Sequence, residues 1–106
     1  WGDGSNKRDY VYIDDVVGAH LLALSLPQGY HYMNLSGKNA TEVRQIVALL
    51  EKIIGKTAKI KNFPPRPGDP MELFADALKA KEVLGWEPKM EFEEGLRKTV
   101  EWFQSR

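Results

Sequence analysis

The sequence contains no cysteine among its 106 residues, which excludes disulfides, thiolate nucleophiles and cysteine-based zinc or iron–sulfur sites. It has no apolar run near the roughly 20 residues that a membrane-spanning helix requires, and no secretory signal pattern. It also lacks an excess of either charge, since fifteen Lys and Arg balance fifteen Asp and Glu and the two signs are mixed along the chain. We therefore expect a cytoplasmic protein that binds neither nucleic acid nor membranes.

The length is enough for one hydrophobic core but not for two. Hydrophobic residues make up 42% of the chain and charged residues 28%, which are ordinary values for a globular domain. We therefore predict a single domain spanning residues 1–106. The sequence starts at Trp1, without a methionine and directly in a turn, so we also expect it to be a piece of a longer protein.

Hydrophobic spacing and turn residues predict a mixed, helix-rich α/β fold without internal repeats. Runs of β-branched and aromatic residues indicate strands, and apolar residues at helical spacing indicate helices. Asp14-Asp15 and Asp76 are suitable N-caps, and Gly55 and Gly85 stand where helices end. The predicted strands are residues 10–13, 30–35 and 58–62, and the predicted helices are residues 16–26, 41–54, 76–84 and 91–104.

No catalytic or metal-binding motif is complete in this chain. Gly2-x-Gly4 resembles the start of a dinucleotide fingerprint, but Lys7 stands where its third glycine should be, which favours a plain turn. His20 and His31 lie on different predicted elements without a carboxylate at ligand spacing, so we interpret both as structural. Asp14-Asp15 is interpreted as a helix cap rather than a catalytic carboxylate pair. We predict no catalytic residue and no metal site.

Two arginines lie in surroundings that restrict them. Arg8 stands between a glycine-containing turn and a predicted strand, and Arg66 lies in the loop of residues 63–70, which four prolines make rigid. A guanidinium on a rigid loop is suited to bidentate hydrogen bonding with phosphate oxygens. The alternative is an ordinary surface ion pair, Arg66 with Asp69 or Arg8 with Asp9. The residues alone leave both interpretations open.

The aromatic side chains are predicted to lie mostly in the core, because a base-stacking platform would need interleaved basic residues that this sequence does not have. The predicted core aromatics are Tyr10, Tyr12, Trp86, Trp102 and Phe103.

Several separate motifs occur in a characteristic order. They are Gly2-Asp3-Gly4, Arg8-Asp9-Tyr10-Val11, Asn34-Leu35-Ser36-Gly37, Arg66-Pro67-Gly68-Asp69-Pro70 and Leu84-Gly85-Trp86-Glu87-Pro88. Together they resemble the C-terminal third of extended short-chain dehydrogenase/reductases, the NAD-dependent nucleotide-sugar epimerases and dehydratases, and in particular the members similar to UDP-glucose 4-epimerase. The resemblance covers essentially the whole chain, and it does not single out one sugar or base.

The resemblance implies a small substrate-binding subdomain that closes over a nucleoside diphosphate sugar. In that family an N-terminal Rossmann domain binds NAD and carries a Tyr-x-x-x-Lys pair. No tyrosine of this sequence has a lysine four residues later, and the glycine fingerprint is absent. We therefore expect this chain alone to be catalytically incomplete and to bind no cofactor, with NAD belonging to the complete enzyme.

Matching positions one by one, the resemblance implies diphosphate contacts for Arg8 and Arg66. It makes Asp69 an acidic partner near the nucleoside or these arginines, and Asn34 a further candidate for a phosphate contact. The alternative function is a non-catalytic interaction module. On that hypothesis, the exposed edge of a strand at residues 32–35 would promote a homodimer or strand exchange.

Overall fold

The computed structural model describes all residues, 1–106. It is a mixed α/β structure, as the sequence predicts, and helices make up most of its regular structure. None of the four helices is both long and apolar enough to cross a membrane. The strands are β1 (Lys7–Asp9), β2 (Ala40–Glu42) and β3 (Glu72–Leu73), and the helices are α1 (Ile13–Ala23), α2 (Val43–Ile54), α3 (Leu78–Leu84) and α4 (Phe92–Gln104).

The three short strands form one sheet with β1 in the centre. Strand β2 runs antiparallel to β1 with Arg8 opposite Thr41, and β3 runs parallel to β1 with Arg8 opposite Leu73. Both β2 and β3 are distant from β1 in the sequence. Local sequence patterns therefore do not predict where Arg8 lies in the fold. The sheet gathers residues from both halves of the chain around β1.

A small core lies between α1 and α3. It consists of Ala19, Ala80 and Trp86, against which Met33 and Leu35 pack as partly buried neighbours. The indole N–H of Trp86 donates to the backbone oxygen of Asp15 at 2.8 Å, which satisfies the polar atom of this buried ring. Only six of the 106 residues are buried, so much apolar side-chain surface of this chain faces outward.

The predicted strands are wrong in position. Residues 10–12 lie outside any strand, Ile13 begins α1, and residues 30–35 and 58–62 form no ladder. Their β-branched and aromatic composition favours strands only where a neighbouring strand supplies hydrogen bonds, and within this chain none does. The strand edge at residues 32–35, on which the expectation of strand exchange depended, is therefore not formed here.

Helix α1 begins three residues earlier than predicted. Tyr12, not Asp14 or Asp15, is the N-cap residue, and both aspartates lie in the first turn, where they complement the helix dipole. The Asp15 carboxylate instead accepts hydrogen bonds from the backbone N–H groups of Lys89 and Met90, at 3.1 and 3.0 Å. Asp15 therefore ties the start of α1 to the segment before α4, and the predicted cap is wrong.

The other helix signals are confirmed more closely. Gly55 and Gly85 end α2 and α3 in the left-handed conformation, with φ of 74° and 67°. The Asp76 carboxylate accepts the backbone N–H of Leu78 at 2.8 Å, as a capping residue does, although the formal N-cap is Ala77.

Of the predicted core aromatics, Trp86 is 4% exposed and Tyr12 is partly buried. The prediction is wrong for the other three, which are more than 40% exposed: Tyr10, Trp102 and Phe103.

Candidate functional site

Arg8 of β1 and Asp69 of the loop before β3 form an ion pair. The Arg8 Nη2 lies 2.7 Å from the Asp69 Oδ1, and Arg8 Nη1 donates to the backbone oxygen of Lys7, also at 2.7 Å. The Arg8 side chain is 24% exposed, so the guanidinium is held but remains accessible from one side. Asn6 approaches the same carboxylate, with its Nδ2 3.4 Å from Asp69 Oδ2. These contacts fix a cation where the loop before β3 meets β1.

Arg66 and Asp69 occupy the two ends of one tight turn. The Asp69 N–H donates to the Arg66 backbone oxygen at 3.2 Å, and Gly68, at the third position, has a φ of 82°. Proline at the second position and a left-handed glycine at the third are typical of a type II turn. The turn brings Arg66 and Asp69 into one short loop, but no ion pair joins their side chains.

The Arg66 guanidinium packs on an aromatic ring. Its carbon lies 4.7 Å from the centroid of the Trp1 ring, a cation–π contact. The Trp1 ring lies 5.1 Å from that of Phe63, and the Phe63 backbone oxygen accepts the Gly2 N–H at 2.8 Å. Trp1 thus links the first turn of the chain to the proline-rich loop and limits the freedom of Arg66.

A cavity of about 460 Å³ lies between the first turn and the proline-rich loop. Arg66, Asp69 and Asn6 line it, and Trp1 and Phe63 supply its aromatic surface. The volume lies within the range of small-molecule sites, which combine apolar walls with a few oriented polar groups. The cavity therefore has the size and the donor groups to hold an anionic group beside an aromatic surface.

Two further charged groups border this region. The hydrogen bond from Lys7 to Glu72, at 2.9 Å, raises the pKa of the Lys7 amino group. Hydrogen bonds from the Ser5 hydroxyl and backbone lower the pKa of Asp3, which lines the same cavity. Both groups therefore stay charged near neutral pH. The positive charge of Lys7 is balanced by the carboxylate of Glu72.

Asn34 does not join the other predicted residues. It is exposed, its side chain makes no hydrogen bond, and it does not line the cavity beside Arg66. It lies in the segment that reaches Gly37, whose N–H donates to the carboxylate of Asp9 at 2.8 Å. The structure thus brings together Arg8, Arg66 and Asp69 and leaves Asn34 apart from them.

The remaining candidates have local partners. His20 Nδ1 lies 2.8 Å from the Val16 oxygen, and His31 Nε2 lies 2.8 Å from the Pro27 oxygen, four residues away in each case. No cluster of three His, Asp or Glu side chains is arranged to hold a metal ion. A second cavity, of about 350 Å³, lies beside α4 and includes none of the predicted site residues.

The Gly2-Asp3-Gly4 turn does not have the geometry of a dinucleotide fingerprint. Gly2 and Gly4, with φ of 79° and 84°, lie in a turn that leads into β1, and no helix begins there to receive a pyrophosphate. A Cβ at Gly4 would lie 3.1 Å from the Cβ of Arg44, so this glycine serves close packing against α2. The predicted plain turn is what the structure has.

Sequence reasoning missed two residues of this region. The sequence places Trp1 in a turn and Asp9 in a family motif, and assigns neither of them to the site. No ion pair joins Arg8 and Asp9, because the Arg8 guanidinium turns to Asp69 instead. The adjacency of an aromatic residue to the Gly2-Asp3-Gly4 turn is a signal that could have drawn attention to Trp1.

Comparison with known proteins gives a consistent result. The profile of the GDP-mannose 4,6 dehydratase family matches residues 1–99. The chain is 43% identical over 103 residues to the UDP-glucuronate 4-epimerase of Thermodesulfobacterium geofontis, covering 96% of this chain and 32% of that protein. It is 37% identical to the UDP-glucose 4-epimerase of Mycolicibacterium smegmatis, covering 100% of this chain and 34% of that protein.

Solved structures agree with these sequence relatives. The UDP-glucose 4-epimerase of Thermotoga maritima, determined with UDP-glucose, superposes with a TM-score of 0.88 at 46% identity, covering 99% of this chain and 34% of that one. The UDP-glucuronic acid 4-epimerase of Bacillus cereus, in complex with UDP-glucuronic acid and NAD, gives a TM-score of 0.87 at 31% identity, with coverages of 99% and 34%.

The chain spans about a third of the length of the curated relatives that it matches, 32% and 34% in the two cases above. The match nevertheless extends over nearly all of residues 1–106, in both sequence and fold. The chain therefore belongs to the GDP-mannose 4,6 dehydratase family, among the NAD-dependent epimerases and dehydratases of the extended short-chain dehydrogenase/reductase class.

Proposed function

We propose that residues 1–106 are the nucleotide-sugar-binding part of an NAD-dependent UDP-sugar epimerase or dehydratase. The observation that carries this proposal is the Arg8–Asp69 ion pair at 2.7 Å, which places Arg8 beside the loop that holds Arg66. Through Asp69, Arg8 thus contacts the same tight turn that carries Arg66. The solved relatives that bind UDP-glucose and UDP-glucuronic acid support a UDP-sugar as the ligand.

The proposed binding mode follows from the chemistry of these groups. Guanidinium groups bind phosphate oxygens through two parallel hydrogen bonds, and little ordering entropy is lost when the side chain is already held. Arg8 is held by Asp69 and by a backbone oxygen, and Arg66 by the Trp1 ring. We assign the diphosphate to Arg8 and Arg66, and the nucleoside to the neighbouring cavity with its aromatic wall.

On this proposal, NAD and the substrate are bound by two different parts of the enzyme. NAD, which the Bacillus cereus relative binds, would be held by the portion of the relatives that this chain does not match. The role of residues 1–106 is to bind and orient the substrate, and they alone would not catalyse the reaction. Asn34 remains a candidate for a phosphate contact only if a bound ligand extends to it.

Calorimetric titration with UDP tests the proposal. We expect this chain to bind UDP, and Arg8→Ala and Arg66→Ala each to weaken binding at least tenfold, because a hydrogen bond to a charged group contributes about 1.5–3 kcal/mol. Arg97→Ala is the matched control, since it removes one exposed guanidinium from α4. Absence of UDP binding at millimolar concentration, or equal affinity in Arg66→Ala, would refute the proposed site.

A further inference from the structure

Asp9, the last residue of β1, uses both oxygens of its carboxylate to hold backbone groups. Its Oδ1 accepts the Gly37 N–H at 2.8 Å, and its Oδ2 accepts the Ala75 N–H at 2.9 Å. Both hydrogen bonds are partly buried, and the partners lie 28 and 66 residues away in the sequence. One side chain thus joins β1 to two otherwise separate segments.

The close approach at Gly37 makes this junction specific. A Cβ at Gly37 would lie 2.2 Å from the Tyr10 backbone oxygen, a distance that no side chain could tolerate. Glycine therefore lets the chain pass close enough to β1 for its N–H to reach Asp9. The contact is built into the backbone path rather than made by a mobile side chain.

Two of the three joined segments carry the proposed ligand contacts. Arg8 precedes Asp9 directly, and Ala75 follows β3, into which the loop with Arg66 and Asp69 leads. Successive side chains of a strand point to opposite faces, so Arg8 reaches Asp69 on one side while Asp9 reaches Gly37 and Ala75 on the other. Asp9 fixes the strand from the face opposite to the one that would meet the diphosphate.

We propose that Asp9 is a positioning residue for the substrate site, an inference that rests on the proposed function. It sets the position of β1 against the segment after β3, and so holds Arg8 where it meets Asp69. Asp9 itself does not contact the ligand. Its carboxylate acts through Arg8.

The direction in which Asp9→Asn changes UDP affinity distinguishes a positioning role of Asp9 from a simple effect of its charge. Removing a negative charge next to a site for an anion should tighten UDP binding by Coulomb attraction alone. An amide has one acceptor oxygen, however, so one of the two backbone N–H groups loses its partner and the junction loosens. We expect UDP affinity to fall about tenfold, the size of effect that a loosened guanidinium contact would give.

Asp14→Asn is the matched control for charge, because Asp14 is exposed and makes no hydrogen bond. It should leave UDP affinity unchanged. Unchanged or tighter UDP binding in Asp9→Asn, with the wild-type chain binding UDP normally, would overturn the positioning role and leave the proposed function intact.

A double substitution shows whether Asp9 acts through Arg8. In an Arg8→Ala background, Asp9→Asn should weaken UDP binding by no more than about twofold further, because effects within one coupled unit are not additive. A full tenfold additional loss in that background would mean that Asp9 acts independently of Arg8, which would contradict the proposal.

Hydrogen exchange tests the junction without any substitution. The Gly37 and Ala75 amides of the wild-type chain should exchange slowly, since the Asp9 carboxylate holds both. Exchange of either amide at the rate of exposed loop amides would refute the junction. Slow exchange in a chain that binds no UDP would leave Asp9 a structural residue only, and would overturn both the positioning role and the proposed function.

Discussion

Helices α2 and α4 carry apolar residues on one side and polar residues on the other, whereas α1 is apolar almost all round. Helix α1 has the sequence IDDVVGAHLLA, and of its residues only Ala19 is buried. Ile13, Val17 and Leu21 recur at intervals of four and are 63%, 49% and 63% exposed. A helix that is hydrophobic on all sides is normally buried on all sides.

Helices α2 and α4 pack against each other within these 106 residues. Lys52 Nζ lies 3.1 Å from Glu93 Oε1 at their boundary, and Gly95 and Val100 of α4 are buried. Helices α2 and α4 therefore cover part of each other's apolar side, although no residue of α2 is fully buried. The α1 side presents an apolar stripe, defined by Ile13, Val17 and Leu21, of the kind that other protein surface covers. The expected homodimer stays a prediction.

Trp86→Ala should cause the largest loss in the free energy of unfolding, because Trp86 joins α1 to the rest of the molecule. Its ring is 4% exposed, and its indole donates to Asp15. We expect a loss of about 3–5 kcal/mol in the free energy of unfolding, the usual result of removing a buried tryptophan. Urea unfolding followed by circular dichroism measures it.

Trp102→Ala is the matched control, since Trp102 is 55% exposed on α4. It should lower the free energy of unfolding by less than about 1 kcal/mol, as exposed substitutions usually do. Similar losses for the two tryptophans would contradict the interpretation of Trp86 as the anchor of α1.

A smaller loss of stability is expected when valine is replaced by alanine in α4 and in α1. Val100 of α4 is 8% exposed and Val17 of α1 is 49% exposed. We expect Val100→Ala to cost about 1–2 kcal/mol of stability and Val17→Ala less than about 0.5 kcal/mol, because only the first creates a cavity. Thermal unfolding of both variants checks this, and a larger loss for Val17→Ala would mean that the stripe on α1 is covered in solution.

The smallest effect is expected from the exposed ion pair beside the Trp86 anchor. Lys81 Nζ lies 2.9 Å from Glu87 Oε1, and this contact lowers the pKa of Glu87 and raises the pKa of Lys81. A lowered carboxyl pKa stabilises the fold above its unfolded-state pKa, and the stabilisation is lost as pH falls through the folded-state pKa. A raised amino pKa stabilises the fold below its unfolded-state pKa and is lost as pH rises through the folded-state pKa.

Glu87→Gln should therefore lower the melting temperature slightly at neutral pH and have no effect in strong acid. Melting temperatures of wild type and variant across the pH range measure the difference. Glu82→Gln, at an exposed α3 glutamate without an ion pair, should match the wild type throughout. A Glu87→Gln difference that persists at acidic pH would exclude the ion pair as its cause.

Helices were predictable from the sequence because their signals are local. The apolar spacing of α2 and α4, and Gly55 and Gly85 at the helix ends, operate within a few residues. The strands were not predictable, because each has only two or three residues and exists through partners far along the chain. Residues 30–35 show the reverse, a strand-like composition without a partner.

The candidate site was predictable only in part for the same reason. Arg8, Arg66 and Asp69 were identified from motifs, but their arrangement was not, since Arg8 pairs with a residue 61 positions away rather than with its neighbour Asp9. The role of Asp9 depends on where Gly37 and Ala75 pass, which no local pattern shows. The tertiary structure determines which of several neighbouring charged residues forms the ion pair with Arg8.

The central place of β1 has a consequence for the order of events during synthesis. Leu73, the parallel neighbour of Arg8 in the sheet, is synthesised 65 residues after Arg8. Until then β1 has one open edge and Arg8 has no acidic partner. The proposed substrate-binding surface can therefore assemble only after β3 has been translated, and a product ending before β3 would carry an unprotected strand edge.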